Sequence, residues 1–164
     1  IHRGTAQDAS VTRIGSDNLL MAYTHVAHDC WLGDHIIMAN AASLGGHVRI
    51  DDWVILGGFT IIHQFCRVGC HAFAGMGSAI SKDVPPYVMV NGQPAKPHGL
   101  NTEGLKRREF DGERIGRIKR AYRTLYHSGL PFAAAKEALA ESGNDDDAVR
   151  IMADFLAASE RSIV

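Results

Sequence analysis

A small set of histidines and one glycine carry the chemistry this sequence suggests. His28, Gly46, Gln64 and Lys82 lie eighteen residues apart; His47 follows Gly46, His63 precedes Gln64, and His25 stands three residues before His28. If eighteen residues make one structural repeat, His25, His28, Asp29, Gly46, His47, His63 and Gln64 share one wall. His28 followed by Asp29 offers a general base with a carboxylate able to hold its tautomer. The bare Gly46 N–H, one repeat along, could receive a developing oxyanion. That combination suits acyl transfer. Taken singly, each histidine also fits a polar surface position, and Asp29 fits a turn; the grouping is what points to a cleft.

The eighteen-residue repeat rests on a stricter six-residue beat. Ile14, Leu20, Val26, Leu32, Met38, Leu44, Ile50, Leu56, Ile62, Val68, Ala74 and Ile80 fall six apart without a slip. A second position in each hexad, from Asn18, Thr24 and Cys30 through to Val84, is mostly small or β-branched. Period six fits neither an amphipathic helix nor an alternating strand, and hexapeptide periodicity is a signature of a parallel β-helix. Three hexads close a three-sided coil with the aliphatic residue inside. Twelve hexads then make four coils, rising roughly 19 Å at about 4.8 Å between paired strands. Except for His25, the wall residues occupy hexad places outside the inward set, so their side chains are expected to reach solvent or a neighbouring subunit.

Both ends of the repeat are marked. Ile1 lies thirteen residues before Ile14, one more than two hexads allow, so residues 1–5 read as part of another hexad and residues 6–13 as a loop bulging from a corner. A coil starting abruptly would bare a β edge; with no initiator Met, a fragment with further coils upstream is expected. Pro85 and Pro86 should end the solenoid by removing ladder donors, with residues 87–100 adding one irregular strand. Past Asn101 the spacing becomes helical: a short helix over 102–110, then a longer one capped by Asp111, carrying Ile115, Ile118, Tyr122 and Leu125 and stopped by Gly129. A third starts at Pro131 and runs to about Ser142. One of the aspartates 145–147 caps a fourth with Val149, Met152, Phe155 and Leu156. The expected organisation is a β-helix over residues 1–100 and a helical domain over 101–164.

Bulk properties narrow the function. A net charge of −1 gives no case for nucleic acid, no apolar run approaches a membrane span, and the opening residues form no leader. Cys30, Cys66 and Cys70 form no CxxC pair and no even set, as expected of a reducing cytoplasm. Cys30 and Cys66 should point in, Cys70 out. Metal is the competing chemistry, because three histidines on adjacent coils hold zinc in the γ-class carbonic anhydrases. That pattern needs an HxxxxH pair, and no two histidines here are five apart. His25 and His28, three apart on an extended strand, point to opposite faces. Neither a metal nor a cofactor is expected.

The stretches IHRGT (1–5), GSDNLLM (15–21), HVAHDC (25–30), GGHV (45–48), HQF (63–65), DVPPYV (83–88) and NTEGLKRR (101–108) together resemble the acyl carrier protein:UDP-N-acetylglucosamine O-acyltransferases of lipid A synthesis, in their C-terminal part. The hexad alone is shared with serine acetyltransferases, sugar nucleotidyltransferases and the N-acyltransferase later in that pathway. The resemblance implies a homotrimer of left-handed β-helices with a helical C-terminal domain and active sites between subunits. It makes His28 the base that deprotonates the glucosamine 3-hydroxyl, Asp29 its orienter and Gly46 N–H the oxyanion donor. His25, His47, His63 and Gln64 would line the substrate cleft, and Asn101, Glu103, Arg107 and Arg108 would hold the nucleotide. Met76, in a column with Asn40 and Gly58, matches the place where the family ends its acyl pocket, and implies a shorter 3-hydroxyacyl group; taken alone it fits a packing methionine equally well. The run Lys106, Arg107, Arg108, Arg114, Arg117, Lys119, Arg120, Arg123 reads as a solvated helix face, or as a docking patch for the acidic carrier protein plus a diphosphate contact. A trimerising scaffold without activity, or an acyltransferase for another UDP-amino sugar, are the alternatives.

Overall fold

A chain that must return the same aliphatic position inward every six residues needs a sharp corner in each hexad. In the computed structural model, which describes residues 1–7 and 10–164, that corner is a residue in the left-handed region: Asp17, Tyr23, Asp29, His35, Ala41, His47, Trp53, Phe59, Phe65 and His71 all have φ between 57° and 65°. Such a conformation is costly for a residue with a Cβ. It recurs because it turns the corner N–H along the solenoid axis. His47 N donates to His28 O at 3.0 Å, Phe65 N to Gly46 O at 3.0 Å, and Trp53 N to Asp34 O at 3.0 Å. From His35 to His71 each corner is thereby tied to the residue nineteen positions earlier, and the coils stack in register. Positions 8 and 9 of the loop expected over 6–13 lie outside the described residues.

Twelve two-residue strands follow at six-residue intervals: β1 (Arg13–Ile14), β2 (Leu19–Leu20), β3 (His25–Val26), β4 (Trp31–Leu32), β5 (Ile37–Met38), β6 (Ser43–Leu44), β7 (Arg49–Ile50), β8 (Ile55–Leu56), β9 (Ile61–Ile62), β10 (Arg67–Val68), β11 (Phe73–Ala74) and β12 (Ala79–Ile80). Every third strand pairs in parallel, giving three sheets, β1-β4-β7-β10, β2-β5-β8-β11 and β3-β6-β9-β12. Their inward residues, Val26, Leu32, Met38, Leu44, Ile50, Leu56, Ile62, Val68 and Ile80 among them, form one buried core. Ahead of β1 the chain already lies on the stack, since His2 N donates to Val26 O at 2.9 Å.

The solenoid does not stop at Pro85 and Pro86. Val84 bridges Val68, and β13 (Val88–Asn91) pairs in parallel with β11, so two sides of a fifth turn are built. The prolines fit because Gly69 faces them: a Cβ there would fall 2.5 Å from Pro86 N. The expected single irregular strand is a pair, in which β14 (Lys96–Leu100) runs antiparallel to β13. Cys70 does not point freely outward either; it packs beside Tyr87, and burial pushes its thiol up to about 12.

Four helices follow: α1 (Thr102–Arg107), α2 (Gly112–His127), α3 (Phe132–Gly143) and α4 (Asp147–Ala157). Asn101, Asp111 and Asp146 cap α1, α2 and α4 by accepting amides of their first turns. α1 ends short of Phe110 because Glu109 turns left-handed and sends the Phe110 ring edge-on against His71. Leu105, Ile118, Leu139, Met152, Phe155 and Leu156 form a second buried core, which reaches the solenoid through Tyr87. The tail then returns to the solenoid, where Ile163 bridges Asp83. Leu56→Ala is expected to lower unfolding free energy by about 2–5 kcal/mol, read from urea denaturation.

Candidate active site

The three corners of each coil stack into three edges. The first edge carries His28 and Asp29, then Gly46 and His47, then Gln64 and Phe65. His28 exposes 43% of its side chain, and its Nδ1 lies 2.9 Å from Asp29 Oδ2. The Asp29 carboxylate, expected to reach solvent, is only 1% exposed. Its oxygens are taken from behind: Thr5 donates its amide to Oδ1 at 2.9 Å and its hydroxyl to Oδ2 at 2.7 Å, and the Asp29 amide donates to Thr12 Oγ1 at 2.9 Å. Burial alone would raise the Asp29 carboxyl, but the Thr5 hydroxyl and amide, the His28 ring and the nearby His47 together hold it below the ordinary carboxylate range. An ionised carboxylate only accepts. Nδ1 of neutral His28 is therefore the protonated nitrogen, and Nε2 is left bare.

That ring lies over Gly46. A Cβ at position 46 would fall 2.6 Å from His28 Cε1 and 2.8 Å from Nε2, so only glycine admits the imidazole here. The Gly46 N–H donates to no acceptor among the described residues. On the second edge the equivalent amides are occupied, Ser16 N by Asp34 Oδ1 at 2.6 Å and Asp34 N by Asp52 Oδ1 at 2.8 Å. No such carboxylate follows Gly46, because position 64 is glutamine. His47 stands edge-on to His28 with centroids 5.1 Å apart and stacks on Phe65 at 4.5 Å. His63 and Gln64 are exposed one coil further, and His25 is exposed on β3 with its ring 5.1 Å from that of His2. Beside this edge lies a cavity of about 470 Å³ whose walls include Asp29, His47, Arg49, Phe65, Arg67 and Arg161.

By distance alone His28, Asp29 and His47 could hold a cation, since their donor atoms lie within 4.8 Å of one another. Both Asp29 oxygens already accept from Thr5, and Oδ2 also from His28. The carboxylate is thereby already committed to Thr5 and to the ring it orients.

The remaining candidates sit elsewhere in a single chain. Asn101 is buried on the second edge, capping α1 and donating to His71 O at 3.0 Å. Glu103 is exposed and paired with Lys106 at 3.0 Å, and Arg107 is exposed. The Arg108 guanidinium stacks over Trp53 at 5.0 Å and donates to Trp53 O at 3.3 Å, while its buried Nη1 has no partner among the described residues. Trp53 belongs to a column of rings on that edge, with His35 3.9 Å on one side and His71 6.3 Å on the other. Burial and the charges of Arg108 and Arg114 push His71 down to about 4. Met76 lies on the third edge and is 76% exposed. Thr5 and Thr12 were missed from the sequence: they precede the regular repeat, so no column assigns them, although Thr5 closes the IHRGT stretch.

Known proteins share this fold. The protein-family profile described as UDP N-acetylglucosamine O-acyltransferase, Domain 2, matches residues 83–164. The chain is 54% identical over 161 residues to an acyl-(acyl-carrier-protein)–UDP-N-acetylglucosamine O-acyltransferase of Thiobacillus denitrificans, covering 98% of this chain and 62% of that one. A Janthinobacterium protein of the same name is 53% identical over 168 residues, covering 100% and 64%. The solved structure of Francisella novicida UDP-N-acetylglucosamine acyltransferase superposes with a TM-score of 0.96 at 43% identity, covering 98% of this chain and 59% of that one. The chain thus spans somewhat under two thirds of the curated relatives it matches.

The low Asp29 value makes a prediction about acid stability. A folded value below the unfolded one, about 3.9, gives stabilisation that is complete above the unfolded value and lost as pH falls through the folded value. Urea unfolding across a pH series should show Asp29→Asn less stable than wild type at neutral pH, with the difference closing below about pH 4.

Proposed function

Because the chain belongs to the UDP-N-acetylglucosamine O-acyltransferase family, we propose that it supplies the catalytic edge of an enzyme that transfers a 3-hydroxyacyl group from acyl carrier protein to the glucosamine 3-hydroxyl of UDP-N-acetylglucosamine, opening lipid A synthesis. His28 Nε2 removes the proton of the sugar hydroxyl as its oxygen attacks the thioester carbonyl. The carbonyl oxygen takes up the negative charge, and the Gly46 N–H donates to it. Collapse expels the carrier thiol, which receives the proton from the imidazolium. Asp29 steadies that imidazolium. Neither a metal nor a covalent enzyme intermediate is required. The observation that carries this reading is the His28 ring lying on Gly46 with its Nδ1 held by a buried carboxylate.

His47 walls the site beside His28, and His25, His63 and Gln64 line the cleft around the sugar. Asn101, Glu103, Arg107, Arg108 and Met76 occupy other edges of the same chain, so the complete site is built between copies in a homotrimer. Exposed Phe59, Ile61 and Phe65 give neighbouring copies apolar surface to cover. Exposed Arg107, with the half-buried Arg108 guanidinium beside it, then meets the nucleotide diphosphate, where paired donors suit phosphate. Within the basic run, Arg114 stacks on Phe110 and Arg117 pairs with Glu113 and Asp146, leaving exposed Lys119, Arg120 and Arg123 to dock the acidic carrier protein. Residues 1–100 make the solenoid domain of this enzyme and 101–164 its helical domain. Three free cysteines fit a cytoplasmic setting, and no helix among the described residues is long and apolar enough to cross a membrane.

Two experiments test the reading. His28→Ala should cut acyl transfer by roughly 10²- to 10⁴-fold with sedimentation unchanged; an unaltered rate, or assembly without turnover in the wild-type chain, rejects it. Met76 is too exposed to be a packing residue of its own chain, and as the end of a neighbour's acyl pocket it favours a shorter 3-hydroxyacyl group. Met76→Gly should therefore shift the preferred donor to longer chains in a competition assay, and an unchanged chain profile rules out that role.

A further inference from the structure

The tail after α4 makes contacts that the proposed reaction does not use. Asp83, buried at the top of the first edge, holds it at several points: Oδ2 accepts from the Ser159 hydroxyl, the amide donates to Ser162 O at 3.1 Å, and the carbonyl accepts from Val164 N at 3.0 Å. The other carboxylate oxygen accepts from Arg67 N at 2.8 Å, which fixes Asp83 to β10. The tail is therefore pinned on both sides of Arg161. From there the Arg161 guanidinium donates to the carbonyl of Gln64 at 2.7 Å, across 97 positions of sequence. A charged donor makes this a strong hydrogen bond.

The same carbonyl has a second neighbour. His63 Nδ1 lies 3.2 Å from Gln64 O. A carbonyl oxygen only accepts and has two lone pairs, so it can serve both donors, provided the His63 hydrogen is on Nδ1. Nε2 is then left as an outward-facing acceptor, able to take a hydrogen bond from a sugar hydroxyl. We propose that Arg161 is a positioning residue, which holds the Gln64 carbonyl where it fixes the tautomer and aim of His63. The helical segment, through its last residues, thereby sets the protonation pattern of a cleft residue on the solenoid.

The substrate half of this inference rests on the acyltransferase reading, whereas the tautomer half does not. The test uses nitrogen-labelled histidine and NMR of the ring nitrogens, with the His63 signal identified by its loss in His63→Gln. Wild type should show His63 as the Nδ1–H form. Arg161→Gln should move it toward the Nε2–H form and raise KM for UDP-N-acetylglucosamine about 3- to 20-fold with kcat little changed, as expected when a hydrogen bond behind a binding group is lost. Arg161→Lys, which keeps a charged donor, should retain the wild-type tautomer and KM. An unchanged His63 signal in Arg161→Gln overturns the proposal whatever the activity, and so does an unchanged KM in a chain that turns over. Equal losses in the Gln and Lys variants would assign the effect to the tail as a whole and overturn it too. Absence of turnover in wild type would instead count against the acyltransferase reading and leave the NMR result to decide the role of Arg161.

Discussion

The hydrogen bond from the left-handed corners, His35 onward, to the coil before them is the constraint on which the molecule depends. It keeps hexads from sliding past one another, because a slip of one residue would exchange the inward aliphatic for the residue beside it. With register held, a residue's place on the wall is decided by its position within eighteen, and histidines far apart in sequence become neighbours. The corner also aims its own side chain away from the core, which is why His47, Phe65, Trp53 and His71 form stacks on the outside rather than filling the interior.

The site uses the same geometry with one part removed. Where Asp34 and Asp52 close the amides below them on the second edge, Gln64 leaves the Gly46 amide open on the first. That amide, with no acceptor among the described residues, stands beside the His28 imidazole. Thr5 completes the arrangement from outside the regular repeat by keeping Asp29 ionised while it is covered.

Much of this was legible in the sequence because the six-residue beat converts letters into positions. His28, Gly46 and Gln64 could be stacked without coordinates, and residue type and spacing gave Asp111 as a helix cap and narrowed the cap of α4 to one of the aspartates 145–147, of which the structure uses Asp146. The register break before Ile14 hid Thr5 and Thr12, since no periodic rule assigns a partner to a residue that precedes the repeat. Pro85 and Pro86 misled for a different reason. A proline weakens a strand only where its missing N–H was needed, and beside Gly69 it fills a gap. Arg161 was invisible because its partner is a main-chain carbonyl, which leaves no mark in the side-chain pattern.

The column of rings on the second edge joins solenoid to helices through Trp53, His71, Tyr87 and Phe110, with Arg108 above and Arg114 beside it. His71 is held neutral there, titrating near 4, whereas an unfolded histidine takes up its proton near 6.5. Its contribution to stability therefore drains away as pH falls between those values. The seam between the two parts of the chain therefore loses this support at a higher pH than the Asp29 edge loses its own. Trp53, lying in that seam, is a natural optical gauge of whether it is shut.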